Sequence, residues 1–176
     1  MSKHELSVIN PYTEQVAVTV PMLQDSEVDR VVQRAREAFL GWRETAMADR
    51  VALIGKFVKA FEGMRDQVAK DITAQMGKPL SQSMNEVNGM IGRAEHMAVI
   101  AEETLADEWL PDKPGFKRYI RHEPLGVVLD IAAWNYPLLI AVNVVVPAVL
   151  AGNSVIVKHS SKTPLCAQAF ADAFAK

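Results

Sequence analysis

From Asp25 to Trp42 the apolar positions Val28, Val31, Val32, Ala35, Ala38 and Phe39 recur at three- and four-residue intervals, the spacing of one face of an α-helix. Asp25 or Ser26 is available to cap its first turn. The rhythm resumes through Leu53, Phe57, Phe61 and Met64, and then Gly63 with Arg65-Asp66 predicts a kink or a new start before Val68, Ile72 and Met76. Gly77, two residues ahead of Pro79, should stop the helix. Another helix is predicted from about Leu80 or Ser81 to Ala106, with Val87, Ile91, Ala94, Met97 and Ile100 on its inner face. Ahead of all these, "INPYTEQVAVTVPM" mixes β-branched residues with an Asn-Pro turn signal, which predicts a short strand pair or an extended arm before Gln24.

The pattern changes at "LPDKPGFKRYIRHEPLG", where two Pro-containing turns bracket a charged, extended and exposed piece around Tyr119 and Ile120. From Gly126 the order is strand, helix, strand: "VVLDIA", "PLLIAVNVVVPAVLAG", "NSVIVK". Apolar runs without alternation suit parallel strands buried on both faces, joined by a right-handed crossover. The final piece places Thr163 as a cap, Pro164 at the first helical position, and Leu165, Ala169 and Phe170 on one side. A parallel sheet of two strands cannot close a core alone. The expected class is therefore α/β: amino-terminal helices followed by the first βαβ unit of a Rossmann-like parallel sheet, incomplete within 176 residues.

Composition narrows the partners. A formal charge of −2, with 23% charged and 49% hydrophobic residues and no basic run, argues against a nucleic-acid surface. The first residues lack the apolar centre of a signal peptide, and the apolar run from Pro137 to Gly152 is interrupted by Asn143 and is short for a bilayer. The expectation is a cytoplasmic protein with no membrane partner. Cys166 is the only cysteine, and His4, His96, His122 and His159 have no ligand spacing, so neither a disulfide nor a metal site is expected. The histidines read as surface or packing residues.

The chemistry concentrates at "DIAAWNYPLLIAV". Ligands of open α/β sheets bind beyond the carboxyl ends of the strands, where the connecting helices begin, and Asn135 stands at such a junction. Its amide can donate two N–H bonds beside the positive end of the Pro137 helix, where a developing negative oxygen would be stabilised. Alternatively its oxygen caps the helix; the two uses are compatible, because they employ different atoms. No glycine-rich turn follows the first strand, so a Gly-x-Gly-x-x-Gly phosphate cradle is missing here.

"EPLGVV", "AWNYPLL", "PAVLAGNSVIVK" and "KTPL", in this order and spacing, together with "MGKPL" and the following "EV", resemble the amino-terminal part of the aldehyde dehydrogenase superfamily. The resemblance runs over essentially the whole chain and is strongest between Glu123 and Leu165. It implies that the chain is about the first third of a family member, an enzyme oxidising aldehydes with NAD or NADP through a cysteine thiohemiacetal and a glutamate-activated water. It also implies three parts: an amino-terminal arm and flanking helices (1–115), an extended oligomerisation segment (116–125), and the start of the NAD(P)-binding domain (126–176). A homodimer or homotetramer is then expected of the complete protein.

Carried over residue by residue, the resemblance makes Asn135 the amide that holds the thiohemiacetal oxyanion. Trp134 and the backbone of Ile131, Ala132 and Ala133 lie along the cofactor, although the family usually has Pro where Ala133 stands. For Trp134 the alternative is core packing. Lys158 matches the lysine that bonds the adenosine ribose; otherwise it is a solvated strand end. After that lysine the family commonly has Pro, a small residue and Glu, whereas this chain has His159, Ser160 and Ser161. A carboxylate at the last position would repel a 2′-phosphate. Ser161 removes it and leaves Lys158 and Lys162 to attract one, so NADP should be accepted, unless this serine has no part in cofactor choice.

Tyr136, Ile140 and Asn143 share one helical side, which the resemblance places at the substrate entrance. Asn143, where the family is often bulky and apolar, suggests a polar or carboxylate-bearing aldehyde; the alternative is a buried amide satisfied by backbone. Cys166 lacks the family's nucleophile context and reads as a small buried side chain, so the 176 residues alone are expected to be inactive. Two rivals stand beside this reading: a non-catalytic binding or assembly module built on the same segment, and a relative making acyl-CoA or acyl-phosphate instead of acid.

Overall fold

A computed structural model describes residues 5–176; His4 and the residues before it lie outside the described part. The predicted strand pair is an antiparallel hairpin, β1 (Glu5–Ile9) against β2 (Val16–Pro21). It docks on the end of the second helix, where Gly77 takes a left-handed backbone (φ 78°) and a Cβ would stand 2.8 Å from Pro11 Cγ.

Helix α1 (Asp25–Trp42) follows the apolar spacing, but its N-cap is Gln24, not Asp25 or Ser26. Glu27 reaches back to accept the Gln24 backbone N–H at 2.9 Å, half of a capping box. Helix α2 (Met47–Met76) is continuous through Gly63, contrary to the predicted break. The reason is an unbroken stripe: Ile54, Phe57, Phe61, Val68 and Ile72 are all buried at intervals that keep one face inward. Helix α3 (Leu80–Thr104) buries Val87, Ile91 and Ala94 as expected, with Met90 and Ala101. Ile100 does not join them; it is 38% exposed, because the inward stripe passes through Ala94, Met97 and Ala101 instead.

The ribbon of β3 (Glu108–Trp109) and β4 (Tyr119–Ile120) is antiparallel and exposed, as the charged extended piece implied. Strand β5 (Val127–Ile131), helix α4 (Pro137–Leu150) and strand β6 (Ser154–Lys158) form the parallel βαβ unit, and α5 (Pro164–Phe174) follows. Two-sided burial of β5 is not found among the described residues: Leu129 and Ile131 are 58% and 69% exposed. Among the described residues β5 and β6 have only each other as strand neighbours, and Leu129 and Ile131 stay uncovered.

Helix α2 is the hub, packing on α3 and α5, while α3 packs on α4 and both α1 and α4 meet the β5–β6 sheet. Its Phe57 lies between Phe61, Phe170 and Phe174, with ring centroids 5.0, 5.5 and 4.5 Å away. Polar ties fix the rest: Trp42 Nε1 donates to the Val149 carbonyl and Ser154 Oγ to the Ala35 carbonyl, at 2.9 and 2.8 Å. No helix among the described residues is long and apolar enough to cross a membrane.

Candidate active site

The parallel register sets Ile131 opposite Lys158, and the Ala132 N–H donates to the Lys158 carbonyl at 3.2 Å. The chain then leaves the sheet through Ala133, Trp134 and Asn135, all exposed, and enters α4 at Pro137. Of the three backbone positions expected along a cofactor, Ile131 and Ala133 are exposed, while Ala132 is buried and its N–H is spent on the sheet. Trp134 is 42% exposed, which removes core packing as its role. It lines a cleft of about 510 Å³ together with Ser161, Lys162, Gln75 and Met76 and part of the β1 hairpin. Lys162 Nζ lies 4.3 Å from the centroid of the Trp134 ring, a cation–π contact. Lys158 and Ser161 are exposed at the same edge.

Asn135 does not cap α4. The N-cap is Tyr136, which makes no side-chain cap bond; the first-turn N–H groups of Leu138 and Leu139 instead donate to Glu86 Oε1 of α3, at 2.9 and 3.4 Å. A carboxylate at a helix N-terminus is favoured by both its acceptor capacity and the helix dipole. The other Glu86 oxygen pairs with Lys78 Nζ, and both side chains are withdrawn from solvent. Lys78 in turn donates to the Asn135 carbonyl at 2.9 Å and lies 4.0 Å from the centre of the Tyr136 ring. A buried ion pair thus grips the main chain of the turn, while the Asn135 amide group stays exposed and has no hydrogen-bond partner among the described residues.

Helix α5 is anchored in the same manner. Thr163 holds the N-cap position, yet its hydroxyl makes no cap bond; the Leu165 N–H donates to Gln75 Oε1 of α2 at 3.0 Å. The Thr163 hydroxyl, fully buried, turns to His159 Nδ1 at 3.2 Å. His159 is itself buried, and its Nδ1 also accepts the Ser160 N–H at 3.1 Å while Nε2 stands 3.0 Å from the Pro137 carbonyl. Because a backbone N–H can only donate and a carbonyl only accept, this network assigns the neutral tautomer with the proton on Nε2. Burial pushes the His159 pKa down, which agrees with a neutral ring. The imidazole therefore ties the loop of Ser160, Ser161 and Lys162 to the first residue of α4.

Along α4, Tyr136 and Asn143 are exposed and Ile140 half-buried, on one side as their spacing predicted. Asn143 is not a buried amide satisfied by backbone: its Oδ1 accepts from Arg93 Nη1 of α3 at 3.1 Å. Cys166 is buried, and burial raises its thiol pKa, as its reading as an inert side chain requires. Of the described histidines, His96 is exposed and His122 lies 3.9 Å from Glu108 at the surface. Among the described residues no group of His, Cys, Asp and Glu could hold a metal.

Sequence reasoning missed Lys78, Glu86, Gln75 and Arg93. The first two stood in view inside "MGKPL" and "EV", and a helix whose inward stripe includes Glu86 was itself a signal, since a carboxylate on an apolar face needs a partner.

The model of the aldehyde dehydrogenase family matches residues 1–176. A succinate-semialdehyde dehydrogenase [NADP(+)] of Mycobacterium avium is 39% identical over 170 residues, covering 95% of this chain and 36% of that protein. A 3,6-anhydro-alpha-L-galactose dehydrogenase of Streptomyces coelicolor is 34% identical, covering 94% of this chain and 34% of its own. The crystal structure of succinic semialdehyde dehydrogenase from Streptococcus pyogenes in complex with NADP+ superposes with a TM-score of 0.89 at 27% identity, over 97% of this chain and 37% of that one. The chain thus spans about a third of the length of these relatives. With the whole of its sequence matched and its βαβ unit and flanking helices superposed, the chain belongs to the aldehyde dehydrogenase family.

Proposed function

We propose that these residues form the amino-terminal part of an NAD(P)-dependent aldehyde dehydrogenase, in which an aldehyde, water and the oxidised cofactor give the carboxylic acid and the reduced cofactor. The observation that carries this reading is the Asn135 turn: an exposed amide with no partner among the described residues, its own carbonyl held by Lys78, at the junction of β5 and α4 and beside the Lys158–Ser161 edge. An amide whose main chain is fixed by a buried ion pair is preorganised, so its N–H groups meet charge developing on a carbonyl oxygen without reorganisation cost.

The residues at the sheet edge fit a dinucleotide. Lys158 at the end of β6 would bond the adenosine ribose, Ile131, Ala133 and Trp134 would line the path toward the reacting end, and Ser161 with Lys158 and Lys162 would accommodate a 2′-phosphate. No carboxylate occupies position 161 to oppose that phosphate, and the M. avium relative carries NADP(+) in its name. When bound, the cofactor supplies the hydride acceptor. The chain's one cysteine is buried with a raised pKa, which does not suit a nucleophile; on this reading the nucleophilic thiolate and the general-base carboxylate belong to the remainder of the complete polypeptide, and the 176 residues alone are inactive.

For substrate, the polar Asn143 at the entrance and the semialdehyde named in the relatives together favour an aldehyde that carries a second, carboxylate end. The three-part division and the oligomerisation role of 116–125 belong to the same proposal. They are supported by a two-stranded ribbon that projects Trp109, Tyr119 and Ile120 outward, and a cytoplasmic dimer or tetramer is the state it fits.

The test is steady-state kinetics on the complete polypeptide. Asn135→Ala should lower kcat by about 10²–10³, with cofactor affinity kept. Titration with both cofactors should show NADP binding at least as tightly as NAD. Acid formation undiminished by Asn135→Ala would refute the oxyanion role.

A further inference from the structure

The Arg93–Asn143 bond joins α3 to α4 without neutralising the arginine. Arg93 is exposed and has no carboxylate within ion-pair distance among the described residues. One turn away on α3 stand Gly89, Met90, His96 and Met97, and one turn away from Asn143 on α4 stand Leu139, Ile140, Val146 and Pro147, so neither helix offers the guanidinium an anion. Its recorded partner is the neutral Asn143 oxygen at 3.1 Å. The arginine is oriented by a neutral amide and, among the described residues, its charge is not paired.

Its position follows from the way α3 and α4 run alongside each other. Glu86 meets Leu138, a Cβ at Gly89 would stand 3.6 Å from Leu139, and Arg93 meets Asn143, so the contacts advance in the same direction along both helices. The line begins at the turn that carries Asn135 and ends at Arg93. Six residues of helix separate Pro137 from Asn143, a rise of about 9 Å, and α4 side chains lean back toward its N-terminus. The guanidinium therefore stands further along the same side of α4 that begins at the Asn135 turn, where the far end of a substrate attacked at that turn would extend.

We propose that Arg93, held by Asn143, is the specificity-determining cation that binds the distal carboxylate of the substrate. Only one of the five N–H donors of the guanidinium is used by Asn143, which leaves a free edge for bidentate carboxylate binding. Asn143 acts as a positioning residue: its amide holds the guanidinium without neutralising it, which an Asp would do. The assignment rests on the carboxylate-bearing substrate class of the preceding section.

The experiment uses the complete enzyme with two aldehydes of equal length, succinate semialdehyde and butanal. Arg93→Ala should raise KM for succinate semialdehyde about tenfold to a hundredfold with kcat kept, and leave kcat/KM for butanal within about twofold. Arg93→Lys should recover part of the loss, because charge is restored without the fork, and Asn143→Ala should lie between wild type and Arg93→Ala. Equal losses on both aldehydes would show a general structural role and overturn the assignment. A wild-type enzyme that prefers succinate semialdehyde, and keeps that preference in Arg93→Ala, would overturn Arg93 alone. A wild-type enzyme that oxidises butanal and rejects succinate semialdehyde would overturn the substrate class and the assignment with it.

Discussion

Replacing Glu86 by Ala removes the group that holds the Asn135 turn and the start of α4. Three interactions end together: the ion pair with Lys78 and the two bonds from the Leu138 and Leu139 N–H groups. The largest loss is the ion pair, because Lys78 remains only 7% exposed with no counter-charge, and breaking a buried pair from one side costs about 3–5 kcal/mol. The exposed ends of two helix donors add about 1 kcal/mol each, less whatever water regains. Glu86→Gln keeps an acceptor for α4 and loses only the charge, so it should cost less than Glu86→Ala. In the double variant Lys78→Met with Glu86→Leu no charge is stranded, and roughly 1–2 kcal/mol of lost capping should remain. The assay is amide hydrogen exchange of Leu138 and Leu139 in the complete polypeptide, read alongside kcat. Local destabilisation of this size accelerates exchange by about 10² or more, and kcat should fall because the α4 end of the turn is loosened and Lys78, without Glu86 to orient it, no longer fixes the Asn135 carbonyl. Exchange within threefold of wild type in Glu86→Ala, or a double variant as damaged as that single one, would refute the claim that a stranded charge and an uncapped helix control the turn.

Ser161→Glu places a carboxylate where a 2′-phosphate would lie, and should reduce kcat/KM for NADP by about tenfold or more while sparing NAD; the cofactor ratio is the measurement. Because the folded-state pKa of His159 is depressed by burial, the native state favours the neutral ring. Its stabilisation is present above the unfolded value near 6.5 and is lost as pH falls below it toward the folded pKa. Melting temperature of the wild type should therefore decline more steeply between pH 7 and pH 5 than that of His159→Gln; parallel curves would remove His159 from the account. Phe57→Ala opens a cavity among Phe61, Phe170 and Phe174 and should destabilise by about 3–5 kcal/mol in denaturant melts, with Leu in its place costing markedly less.

Much of the α-helical layout was legible because apolar residues recur at the helical period, fully buried along α2 and α3 and only half-buried at Val31, Val32, Ala35 and Phe39 of α1. Val28 to Phe39, Phe57 to Ile72 and Val87 to Ala94 mark α1, α2 and α3 by local spacing alone, and the unbroken runs around Val127 and Val155 mark the parallel strands. The inference of a break at Gly63 erred because a glycine weakens a helix locally by only about 1 kcal/mol, whereas burial of Phe57, Phe61, Val68 and Ile72 on one face outweighs it. Ile100 was misplaced because a hydrophobic residue near a helix end fits the period loosely and only the neighbour decides which side is covered.

By itself, then, the sequence determined the element order, the βαβ unit, the family and the position of Asn135 at a strand-to-helix junction, since all of these follow from period, turn chemistry and motif. Tertiary structure alone decided who supports that junction. Caps come from across the fold: Glu86 serves α4 over 52 residues of chain and Gln75 serves α5 over 90, and Arg93 reaches Asn143 over 50. Local rules assign a helix N-terminus to the nearest Asn or Thr, but a buried N-terminus takes whichever acceptor packing delivers. With Glu86 and Gln75 delivered there, Asn135 and the Thr163 hydroxyl are released for other partners, and that release is invisible until the helices are packed.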